Sequence, residues 1–84
     1  MMKIGKLYTF NRLDIHDYML IYDERPYLDN ANVIDEVHHG DLAVVVEISK
    51  DVFGDPLLKI LKQDGTIGWV MCHPLFYDWK EVED

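Results

Sequence analysis

The sequence contains little that would point to a reaction. It has a single cysteine, Cys72, so no internal disulfide can form, and a reducing cytoplasm is the expected setting. No apolar run approaches the roughly 20 residues that a spanning helix needs. The start, MMKIGKLYTF, has two lysines but neither a long apolar segment nor a small-residue cleavage site, so it does not read as a signal peptide. Basic residues are scarce, with 8 Lys and Arg against 16 Asp and Glu and a formal charge of −8. That balance opposes direct nucleic-acid binding, which needs cations on phosphates, and opposes attraction to anionic membranes. There is no Gly-rich phosphate loop, no internal repeat and no low-complexity segment.

What is present suits one small domain. At 84 residues, with 49% hydrophobic residues, the chain is long enough for a thin core and too apolar for disorder. Convincing helical windows are absent, because the best candidate, NVIDEVHH, is short and rich in β-branched residues. Strand signals recur instead. Met1–Phe10 reads as a strand with Gly5 as a bulge, Tyr18–Tyr22 as a short strand, and Val33–Val37 as a brief strand or turn. Leu42–Ile48 is the strongest strand, with Leu42, Val44, Val46 and Ile48 expected on one face. Lys50–Pro56 reads as a loop. Leu57–Lys62 and Thr66–Met71 flank Asp64-Gly65, a hairpin signal. A two-residue turn there would pair Ile60 with Trp69 and make both faces of the hairpin apolar. One of those faces then needs cover from the chain's own loops or from a partner. Pro74–Trp79 reads as a turn, and the last residues as frayed.

These pieces, in their order, resemble the Src homology 3 (SH3)-like barrel. The correspondence runs through Leu20-Ile21-Tyr22-Asp23, an acidic loop to His39, and Gly40-Asp41-Leu42. It continues with the Asp64-Gly65 hairpin, Gly68-Trp69-Val70 and Pro74-Leu75-Phe76-Tyr77, and so covers most of residues 18–79. The resemblance implies an all-β fold, a small barrel of five to six short antiparallel strands with an additional N-terminal strand and a long acidic loop. Tyr22, Pro74 and Tyr77 match groove positions. Leu57-Leu58 stands where the peptide-binding members carry a Trp, so recognition of proline-rich ligands is not implied. Size and acidity also resemble small accessory proteins of tailed bacteriophages, whose setting would be the host cytoplasm.

The chemistry-bearing residues form no catalytic pattern. His38-His39 are adjacent and point to opposite sides of a strand, which suits neither a metal nor a cofactor site. Cys72-His73 are adjacent too, a poor geometry for a nucleophile and its base. A non-enzymatic interaction module is therefore expected. Tyr22, Tyr27, Trp69, Pro74 and Tyr77 would give apolar contact to a protein partner. Asp23, Glu24, Asp35 and Glu36 would pair with its Lys or Arg. The alternative is an acidic inhibitor that imitates nucleic acid and blocks a basic groove of a host protein, using Asp14, Asp17, Asp29, Asp35 and Glu36.

Overall fold

The computed structural model describes residues 2–11, 18–26, 31–71 and 79–82. Seven strands follow one another: β1 (Leu7–Phe10), β2 (Tyr18–Tyr22), β3 (Val33–His38), β4 (Leu42–Lys50), β5 (Pro56–Lys62), β6 (Ile67–Met71) and β7 (Trp79–Glu81). No helix occurs among the described residues. All strand pairs are antiparallel and form one curled sheet in the order β3-β2-β6-β5-β4-β1-β7. The all-β expectation therefore holds, and the sheet curls into a half-barrel.

The core lies in the concave side of this curl. Period-2 alternation sends Tyr8 and Phe10 of β1, Met19 and Ile21 of β2, and Ala43 and Val45 of β4 inward. Val37, Leu58, Ile60 and Val70 complete the cluster. Tyr8 keeps its hydroxyl satisfied while buried, because that oxygen accepts a hydrogen bond from the Lys3 amide at 2.7 Å.

The central hairpin differs from the expected register by one residue. Leu61 pairs with Ile67, Ile60 with Gly68, Lys59 with Trp69 and Leu58 with Val70. The connection has three residues, Gln63-Asp64-Gly65. The Gly65 amide donates to the Lys62 carbonyl, and the Lys62 amide donates to the Thr66 carbonyl. Gly65 lies at φ +93°, the left-handed position that closes such a loop and that glycine adopts freely. The shift puts Trp69 on the opposite face from Ile60. Leu58, Ile60, Gly68 and Val70 face the core, and Leu57, Lys59, Leu61, Ile67, Trp69 and Met71 face outward.

The register of β4 and several strand boundaries also depart from expectation. A register shift between Val45 and Glu47 breaks the alternation of β4, so Leu42 and Val44 face out while Ile48 pairs with core-facing Leu58. Strands β4 and β5 run to Lys50 and Pro56, leaving a loop of residues 51–55. Trp79–Glu81 is a strand, not a frayed end. It pairs with β1, and the Trp79 ring packs 5.1 Å from that of Phe10, so burial holds a segment too short to signal itself. At the other end, β1 begins only at Leu7, after a turn at Ile4-Gly5.

Candidate protein-interaction face

The convex face of the sheet carries two apolar groups that differ in how they are covered. The first surrounds Trp69. This indole, expected as an exposed anchor, is only 5% exposed. Its cover comes from Arg25, whose guanidinium carbon lies 5.5 Å from the ring centroid, and from Lys59, whose ammonium lies 5.9 Å away. Arg25 belongs to the segment that follows β2 and also reaches Glu47 at 4.0 Å. The chain thus covers this half of the outer face itself. Tyr22 pairs with Trp69 across the β2–β6 seam, the one register pair of that seam among the described residues. Beyond it a small cavity of about 60 Å³ opens between Met19, Leu20, Tyr22 and Met71.

The second group is uncovered. Register places Leu7 beside Val44, Val44 beside Leu61, and Leu61 beside Ile67. The Val82 amide donates to the Leu7 carbonyl and so extends the row past β1. All but Val44, which is half-buried, are exposed. A row of five aliphatic side chains therefore crosses the convex side from the end of β7 to β6. The outward positions of a sheet's wet face are expected to be polar, and here adjacent ones on neighbouring strands are aliphatic.

The acidic candidates fall elsewhere. Asp35 and Glu36 lie on the outermost strand β3, and Asp35 is turned inward on the chain's own Lys62. The Lys62 side chain is 8% exposed. Its ammonium donates to the Glu36 carbonyl at 2.8 Å and to Asp35 Oδ2 at 3.2 Å, with Asp64 at 3.7 Å and Asp41 at 3.8 Å. These partners compensate the burial of the charge. The Glu36 carboxylate faces His38 Nε2 at 3.0 Å. Asp23 closes its loop, donating its amide to the Asn32 carbonyl at 3.0 Å and accepting the Asn32 amide on its carboxylate at 2.8 Å. Glu24 is exposed. Tyr27, Pro74 and Tyr77, with Asp14, Asp17 and Asp29, lie outside the described residues. Among the described residues no three His, Cys, Asp or Glu side chains converge to hold a metal.

Two local charges respond to these contacts. The Asp35 carboxyl is held below the ordinary value of 3.8, chiefly by the hydrogen bond it accepts from the Glu36 amide, then by the Thr66 hydroxyl and Lys62. Asp64 is lowered as well, first by the Thr66 amide. Neither direction suits a general acid, which needs a raised carboxyl.

Sequence reasoning missed Lys62 and the Val82–Ile67 row. The signal for Lys62 was present, since it lies in phase with Leu58 and Ile60, and a charged residue in the buried phase of a strand implies a buried partner set. The chain matches no family model, no curated protein and no solved structure.

Proposed function

We propose that this chain is a non-enzymatic protein-interaction domain of the SH3-like barrel class, and that its partner docks on the convex row Val82–Leu7–Val44–Leu61–Ile67. The single observation that carries the reading is the continuity of that row across strands β1, β4, β5 and β6 with no cover from the described chain. Barrel membership is supported by the curl of the sheet. It also draws on the all-antiparallel pairing of seven short strands in one sheet. The aromatic surface imagined around Trp69 has less weight, because Arg25 and Lys59 already occupy it.

Magnitudes describe the kind of complex. Burying the exposed half of each aliphatic side chain gains roughly 1 kcal/mol, so the row supplies about 5 kcal/mol in all. Association costs at least about 4 kcal/mol. The row alone gives a weak, reversible partner, and tighter binding requires anchors outside it.

The test compares the wild-type domain with Leu61→Ser/Ile67→Ser, both immobilised and exposed to lysate of the native cell, with washes at low and then high salt. The reading expects a protein that survives high salt on the wild type and is absent from the variant, with both proteins equally stable to urea. Identical retention on both would overturn it. A nucleic-acid-binding protein released from both by salt would favour the acidic inhibitor instead.

A further inference from the structure

The loop between β4 and β5 pushes its two apolar residues into solvent. Phe53 is 87% exposed and Val52 72%, the two largest exposures among the apolar side chains of the described residues. Neither can contribute much to the core, so stability does not explain their presence. The loop that carries them is closely organised. Asp51 Oδ1 accepts the amides of Phe53 at 2.8 Å and Asp55 at 2.9 Å. The Asp51 amide donates to the Asp55 carbonyl, and the Gly54 amide donates to the Asp51 carbonyl. Gly54 takes φ +86°, which a side chain would resist, and Pro56 starts β5 immediately after Asp55 with its own φ fixed.

A turn held by these bonds spares the backbone ordering that binding would otherwise take away. Charge then selects the surface it fits. The ring is flanked by Asp51 and Asp55, and the whole chain carries −8. Anionic lipid and a second copy of this chain would both meet like charge.

We propose that Phe53 is an insertion anchor for a protein partner, entering an apolar pocket whose rim carries Lys or Arg facing Asp51 and Asp55. This goes beyond the convex row and does not depend on it, because the loop lies at the far end of the β4–β5 hairpin from Leu61 and Val44. The Asp51 carboxylate has two tasks: one oxygen holds the loop, and the other is left to face the rim.

The experiment places a photo-crosslinking benzoylphenylalanine at position 53 of the full chain in its native cell and maps the attachment point by mass spectrometry. The expected result is a protein crosslink inside an apolar pocket bordered by Lys or Arg, retained when Leu61→Ser/Ile67→Ser is added. Crosslinks only to lipid, only to a second copy, or to no macromolecule overturn the proposal. Against the partner so identified, Phe53→Ser should weaken binding about thirty-fold, and Asp55→Asn should weaken it less and reduce its salt dependence. Both variants should melt with the wild type, because neither side chain is part of the core. Unchanged affinity of Phe53→Ser overturns the anchor role while leaving the convex row untouched.

Discussion

The Lys62 ammonium lies 2.8 Å from the Glu36 carbonyl oxygen, joining β5 to the outermost strand β3 although β2 and β6 stand between them in the sheet. The contact spans the curl. It occupies one of the backbone acceptors that an unpaired sheet edge would otherwise present, and it holds Asp35 in place beside it.

Replacing Lys62 by Met keeps the stem and removes the charge. The Glu36 carbonyl loses its donor, and Asp35, Asp41 and Asp64 are left facing one another. A loss of about 2–3 kcal/mol in urea unfolding is expected. Adding Asp35→Asn should restore part of it, since one of the repelling charges is gone. Full additivity of the two changes would show that the pair is not coupled.

The same cluster sets an acid response. Asp35 and Asp64 have folded-state pKa values below the ordinary 3.8, so the folded state favours their ionised forms. Their contribution to stability is fully present above the unfolded value and fades as pH falls through the lower folded values. Wild type and Asp35→Asn should therefore differ by a constant margin in melting temperature above about pH 5, a margin that narrows only below pH 4. A difference that persists unchanged to pH 2.5 would mean that the Asp35 charge does not carry it.

Much of the fold was legible because the signals were local. Asp64-Gly65 located the central hairpin, and the Val-rich run located β4. The register was not legible, since Gly65 can serve either as the second residue of a two-residue turn or as the left-handed residue of a three-residue loop. That one-residue choice exchanges the faces of Trp69 and Val70. The irregularity after Val45 is hidden for a related reason: five apolar residues in succession, Leu42 to Val46, give no phase from which a slip can be seen. For the site, the acids were visible as charges, but their partner Lys62 is 26 and 27 positions from Glu36 and Asp35, a pairing that only tertiary structure supplies.

At Gly68, β2 and β6 approach too closely for a side chain. A Cβ added there would lie 2.6 Å from the Tyr22 carbonyl oxygen and 2.6 Å from Ile21 Cγ2. The oxygen is backbone and cannot swing away, so Gly68→Ala should cost about 2–3 kcal/mol by forcing the strands apart. The damage should concentrate at the seam, where Tyr22 pairs with Trp69. Hydrogen exchange should accelerate at Ile21 and Tyr22 before it does in the β4–β5 pair. Uniform acceleration would mean that the sheet opens as one unit.

Trp69 separates the two accounts of the outer face. Buried under Arg25 and Lys59, it should behave as a structural residue, and Trp69→Ala should lose about 3–4 kcal/mol of stability. Arg25→Ala should lose only about 0.5–1 kcal/mol, the worth of a cation over an aromatic face, yet it uncovers the indole. In a Trp79→Phe background, where Trp69 is the only tryptophan, Arg25→Ala should therefore shift its selectively excited fluorescence to the red and raise acrylamide quenching while the domain stays folded. If Trp69→Ala instead leaves the unfolding midpoint unchanged, the indole is not part of the fold's support. The ring would then be available as a binding anchor, and the convex row would no longer be the main contact surface.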